Sequence, residues 1–311
     1  MEIKELDGLS ITVTVDNFYD ALIDDPPCGR RFRTELGKSI YAEHGLSFFI
    51  SAFIDDKKYS FFFDFGVDGD LLLHNLKVLG IEGKSASSLV LSHGHFDHYG
   101  GLIGLVRHFD SLGVKGLPLY VGYGCFARRF SKRKGQAELT DLGELSRSDI
   151  EGVTRVYELD KPIEFLPGCY LTGKIEMEKD YEEIPDNLFA LREKNLIKDD
   201  FSEELAIFFK VKGKGLVILS GCAHRGIVNT VNQVVRMTKI EKVHAIIGGF
   251  HLIHADEKRI LTTIADLEPF SPDYVVPCHC NGFFARLLFT KTMGERSIIN
   301  TVGTTYTFGR S

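Results

Sequence analysis

The stretch Ser92-His93-Gly94-His95-Phe96-Asp97-His98-Tyr99-Gly100-Gly101 places three imidazoles and one carboxylate within six consecutive positions. It follows directly on an apolar run, Ser88-Leu89-Val90-Leu91, that reads as a buried strand. In an extended segment, side chains two apart point the same way, so His93 and His95 can grip one ion together. Asp97 and His98 are neighbours and point differently, which suits a second ion beside the first. Beyond Gly100 and Gly101, the spacing of Leu102, Ile103, Leu105, Val106 and Phe109 predicts a helix. Strand, ligand loop, glycine pair and helix make a rigid mount for a dinuclear site. A lone histidine is usually structural, but this density of ligand-type side chains is not.

One loop cannot supply all the donors that two ions need. The rest are expected where strands end on a common rim. Three later apolar runs each end in a histidine: Leu219-Ser220-Gly221-Cys222-Ala223-His224, Gly248-Gly249-Phe250-His251 and Val276-Pro277-Cys278-His279-Cys280.

Between these points strands and helices alternate, the pattern of an α/β layered protein. Leu46 to Ile54 and Tyr59 to Phe65 read as a hairpin, as do Leu205 to Phe209 and Leu216 to Leu219. Val67 to Gly80, Ile227 to Met237 and Arg259 to Leu267 read as helices. Two segments interrupt the order. Residues 122–150 carry a basic cluster (Arg128, Arg129, Lys132, Arg133, Lys134) that either forms a solvated face or guides an anionic substrate. Residues 174–203 form a long charged insertion of the kind that serves as a lid or a solvated excursion. The chain is read as a single domain, 1–311, carrying these two insertions.

The net charge of −6 gives no general attraction for nucleic acid or anionic membrane. No run of about 18 apolar residues and no N-terminal signal pattern occurs, so a cytoplasmic protein is expected. The six cysteines are scattered and contain no Cys-x-x-Cys pair, so neither a disulfide framework nor a zinc ribbon is expected.

The pattern His-x-His-x-Asp-His at 93–98 resembles the hallmark of the metallo-beta-lactamase superfamily. That resemblance implies a four-layer αβ/βα sandwich and a dinuclear site. It makes His279 the final ligand and leaves Asp64 a supporting rather than a ligating role. Cys222 stands where many members carry a bridging Asp. Either its thiolate ligates, or His224 swings in. His224 is favoured, because no histidine lies between residues 122 and 203 to act as the usual third one. The expected ligands are therefore His93, His95 and His224 for one ion, and Asp97, His98 and His279 for the other. His251, Cys222, Arg225 and His44 are placed in the substrate pocket, with Arg225 as a phosphate holder.

The whole set, with Val15-Asp16-Asn17 and Glu43-His44-Gly45-Leu46-Ser47, resembles one branch of the superfamily. That branch contains 7,8-dihydropterin-6-methyl-4-(beta-D-ribofuranosyl)-aminobenzene-5'-phosphate synthases and metal-dependent hydrolases. The ions expected are divalent, most simply zinc, with iron or manganese as alternatives. Such ions lower the pKa of a bound water to about 7, and Asp97 would orient that water against a small, anionic phosphorylated or ester substrate. The expectation is thus a hydrolase. The alternatives are the synthase, a transferase in which an arylamine displaces diphosphate from a pterin methylene, and a non-catalytic metal-containing binding protein.

Overall fold

A computed structural model describes residues 1–310 apart from 133, 134, 136 and 137. Its first sheet grows from a phenylalanine-rich hairpin. Ser47–Ile54 and Lys57–Phe63 pair antiparallel, turning at Asp55 and Asp56 with φ of 51° and 58°. Two consecutive left-handed residues match the twist of the flanking strands. Ser88–Val90, Leu117–Gly122 and Thr154–Leu159 add in parallel on one side. Gly8–Val15 and then Thr305–Gly309 add antiparallel on the other.

The second sheet runs Ile163–Leu166, Cys169–Leu171, Ala206–Val211, Gly215–Ser220, Val243–Gly248, Tyr274–Pro277. Its last three strands are parallel neighbours, and the register Ser220 to Gly248 to Pro277 brings their C-terminal ends level.

Three apolar clusters define four layers. Side chains from both sheets, among them Ile11, Phe48, Phe61, Val217 and Ala245, fill the space between the sheets. Leu72, Leu102 and Phe109 bury the helices Gly69–Leu79 and Phe96–Ser111 against the first sheet. Val231, Ile264 and Phe289 bury Ile227–Thr238, Glu257–Leu267 and Gly282–Met293 against the second. Alternation along one strand shows the principle. Phe61 and Phe63 face the opposite sheet while Phe62 faces the helices, so a strand buried on both faces reads as an unbroken apolar run. This is the expected αβ/βα sandwich.

The helix after the histidine motif starts earlier than its glycines suggested. It begins at Phe96, so Asp97 and His98 lie in its first turn rather than in a loop. Glycine inside a helix costs about 1 kcal/mol relative to alanine, and here close packing requires it. A Cβ on Gly101 would sit 2.0 Å from the Phe65 carbonyl oxygen. The Phe65 amide donates to the His98 carbonyl at 2.8 Å, and the Gly101 amide donates to that of Gly66 at 3.0 Å.

The two insertions are not separate excursions. Arg128–Ser131 pairs with Leu188–Arg192 between Thr140–Gly143 and Asn195–Lys198, giving a four-stranded antiparallel sheet. At its centre Arg129 is buried. It donates to Asp199 Oδ2 at 3.0 Å, to Glu203 Oε1, and to the carbonyls of Gly94, Cys125 and Ala127. Arg128 pairs with Asp141. Arg129 is therefore committed to protein carboxylates, whereas Arg128 lies on the exposed face. Arg133 and Lys134 lie outside the described residues. The second insertion also caps Ile227–Thr238, whose first-turn amides of Val228 and Asn229 donate to the Glu182 carboxylate at 2.9 and 2.7 Å. Among the described residues no helix is long and apolar enough to cross a membrane.

Candidate metal centre

Donors from both sheets meet at one rim. His93 and His95 follow Ser88–Val90. Cys222 and His224 follow Gly215–Ser220, His251 follows Val243–Gly248, and His279 follows Tyr274–Pro277. The loops that carry them turn sharply. Asp64, Phe201, Ala223, His251 and His279 are non-glycine residues with φ between 47° and 58°. Each such conformation costs on the order of 1–3 kcal/mol, and they gather where function demands a fixed geometry.

Two groups of side chains face each other. In the first, His93, His95 and His224 bring ring nitrogens within 4.8 Å of one another. Burial pushes His95 down to about 3 and holds His93 and His224 well below 6.5, so all three are neutral and keep a lone pair. Hydrogen bonds fix the tautomer of His93. Ser92 Oγ donates to Asp64 Oδ2 at 2.7 Å and so accepts from His93 Nδ1 at 2.8 Å, leaving Nε2 free as an acceptor. His93 Nε2, His95 Nε2 and both nitrogens of His224 are buried without a hydrogen-bond partner among the described residues. Buried polar atoms left unsatisfied in this way are rare, and a divalent cation is the partner that suits several neutral imidazoles at once.

The second group is built on Asp97. Its Oδ2 lies 3.1 Å from His279 Nε2, 3.2 Å from His44 Nε2 and 3.9 Å from His98 Nε2. Burial opposes ionisation of this carboxyl, but the three histidines outweigh it and hold Asp97 well below the usual range. His98 donates from Nδ1 to Asp64 Oδ2 at 2.7 Å, and its Nε2 lies 3.1 Å from Cys222 Sγ. Burial lowers the His98 pKa, but Asp64 and Asp97 push it up to about 9. A cation at Nε2 would have to displace that proton. Asp64 thus accepts from the Ser92 amide, from Ser92 Oγ and from His98 Nδ1 together.

The structure brings both Cys222 and His224 to the rim. His224 stands with His93 and His95. Cys222 lies between the two groups, close to His93 and His98 on one side and to His279 and Cys280 on the other. His251 lies against His224 with ring centroids 4.1 Å apart and the rings tilted by 47°. His44 is exposed at the rim. Arg225 is placed differently from the sequence expectation. It is buried and donates to the carbonyls of Ile175 (2.6 Å) and Asp200, clamping the second insertion rather than facing the rim.

Several contributors were not found by sequence reasoning. Asn17 Oδ1 accepts from His279 Nδ1 at 2.9 Å and from the Gly45 amide at 3.2 Å. Asp16 Oδ1 accepts from the His279 amide at 2.8 Å. Glu204 accepts from the His224 and Arg225 amides at 2.7 and 2.8 Å. Phe201 stacks on His224 with centroids 3.9 Å apart. Cys280 Sγ accepts from the His251 amide at 3.2 Å. For Asp16 and Asn17 a signal was present: the pair ends a strand, as the ligand-type residues do, and belongs to the Val15-Asp16-Asn17 segment that carries the resemblance. The glycine inside His93-Gly94-His95 also has a reason, since a Cβ there would sit 2.1 Å from Arg129 Nη1.

Known proteins resemble this chain in sequence and in fold. The sequence pattern of the metallo-beta-lactamase superfamily matches residues 51–137. The chain is 34% identical over 259 residues to 7,8-dihydropterin-6-methyl-4-(beta-D-ribofuranosyl)-aminobenzene-5'-phosphate synthase of Methanocaldococcus jannaschii, covering 82% of this chain and 86% of the relative. In fold it is similar to Tm1679, a metal-dependent hydrolase of the beta-lactamase superfamily, with a TM-score of 0.76 and 21% identity over 97% of this chain and all of the other. It is also similar to the metallo-beta-lactamase fold protein YhfI of Bacillus subtilis, with a TM-score of 0.54 and 12% identity over 97% of this chain and all of that one. With a relative this similar over most of both sequences, and the fold shared along nearly its whole length, the chain belongs to the metallo-beta-lactamase superfamily.

Proposed function

We propose that the protein is a metal-dependent transferase that joins an arylamine to the methylene of a reduced pterin, with diphosphate as the leaving group. The identity to the synthase, extending over most of both chains, carries this reading. The buried, unpartnered ring nitrogens support its metal dependence. His93, His95 and His224 would hold one ion and Asp97, His98 and His279 the other, with Cys222 between them. The ions, when bound, would supply Lewis-acid stabilisation of the negative charge that develops on the departing phosphate oxygen.

The chain's own groups account for the proton. The amine nitrogen forms a C–N bond as the C–O bond to diphosphate breaks, and the nitrogen sheds one proton. The Asp97–His44 pair can pass it outward. His44 stands at the exposed rim, its Nε2 3.2 Å from Asp97 Oδ2. The wall made by Phe201 and the second insertion keeps water away from one side of the histidines.

The test is product analysis with metal-loaded protein, a dihydropterin methyl diphosphate and an arylamine. The expected result is coupled product and diphosphate in equal amounts, with release dependent on the amine. Diphosphate release that ignores the amine and yields the pterin alcohol would instead identify a hydrolase, which the same donor set would serve.

A further inference from the structure

A cavity of about 510 Å³ opens beside the candidate metal centre, with Asn17 and His279 in its lining. This lies within the range of small-molecule sites. Its walls are mainly apolar. Phe18, Ile253, Phe283, Leu287 and Ile299 line it, and all but Phe18 are substantially exposed. An apolar surface left in contact with water in this way is suited to covering a ring.

Among the described lining residues one carries a permanent charge, Arg286, whose side chain is 15% exposed. Its nearest carboxylate, Asp16, is 3.8 Å away, too far for a hydrogen bond. Asp16 is also occupied elsewhere. Its Oδ1 accepts from the Asn17 and His279 amides, and its Oδ2 accepts from Asn300 Nδ2. Arg286 Nε finds no hydrogen-bond partner among the described residues. A largely buried guanidinium with donors to spare is completed by an anion held through paired N–H bonds.

We propose that this cavity is the subsite for the non-reacting part of the substrate, and that it takes an aromatic ring system bearing an anionic group held by Arg286. The inference rests on the metal-dependent reading above, because it places the reacting end of that substrate toward His279. Binding of the ring and anion in the cavity supplies the orientation that chemistry at the cluster needs.

The experiment is calorimetric titration of three probes into metal-loaded protein: 2-naphthylmethylphosphonate, which cannot be hydrolysed, 2-naphthol, and inorganic phosphate. In the wild type the phosphonate is expected to bind at least about tenfold tighter than either fragment. Arg286→Gln should weaken the phosphonate about tenfold and leave 2-naphthol within about twofold. Leu287→Trp, on the exposed side of its helix, should weaken both ring ligands about tenfold and leave inorganic phosphate unchanged. A phosphonate that binds no tighter than phosphate, or equally well to all three proteins, overturns the inference. Contacts to the ring and to Arg286 need no metal. These ratios therefore decide the matter whatever the metal content, which is measured separately and bears on the functional reading alone.

Discussion

Replacing Arg129 with methionine is expected to remove about 3–5 kcal/mol of stability, the loss that follows when one partner of a buried ionic cluster is deleted. Asp199 and Glu203 would remain buried with no cation of equal reach, their side chains being at most 1% exposed. The Arg192 guanidinium, 3.3–3.4 Å from both, is only partly buried and cannot replace the bonds Arg129 makes. Thermal denaturation should show a midpoint lowered by about 5–8 °C. Adding Asp199→Asn and Glu203→Gln to Arg129→Met should recover most of that loss, because the unpaired charges are then gone. A basic residue on a solvated face would show neither effect. The cost extends to the metal loop, since Arg129 also holds the Gly94 carbonyl between His93 and His95.

Asp64→Ala is expected to weaken binding at the Asp97–His98–His279 side by about 10–100-fold, the usual consequence of losing the partner that orients a metal-ligating histidine. Three donors converge on this one carboxylate, each at 2.7 Å: the Ser92 amide, Ser92 Oγ and His98 Nδ1. Asp64→Asn should preserve more of the fold. Yet its amide nitrogen would face His98 Nδ1 and force the imidazole proton to Nε2, the atom turned toward Cys222 and Asp97. The two variants should therefore differ in melting temperature and agree in their loss of zinc affinity by titration. Equal zinc affinity in wild type and Asp64→Asn would show that the orientation of His98 does not matter.

The residues that gather at the candidate centre were legible in the sequence. His93, His95, Asp97, His98, His224, His251 and His279 all meet at one rim because strand ends in this fold are level, and each lies just past an apolar run that announces its strand. The layers were legible for the same reason, through runs such as Tyr59 to Phe65. Less visible were residues whose role is set by partners far along the chain. Arg129 reads as one member of a basic run until Leu188–Arg192 pairs beside it. Glu204 reads as an acidic residue just past the second insertion until the Cys222–Gly226 turn lays two amides on it. Arg225 was placed at the rim because it follows a ligand-type histidine, but the carbonyls of the second insertion draw it away. The helix start at Phe96 was hidden by its glycines, which a sequence reader takes as loop and which here allow two backbones to touch.

The central claim is a centre that holds two ions through named residues, and metal content tests it most directly. Wild type, Asp97→Ala and His224→Ala, purified under replete conditions, are measured side by side with melting curves to confirm that each is folded. The account predicts about two equivalents of a divalent ion in the wild type and about one in each variant, since each substitution strips a donor from a different group. One equivalent or none in the folded wild type, or two in both variants, would contradict it.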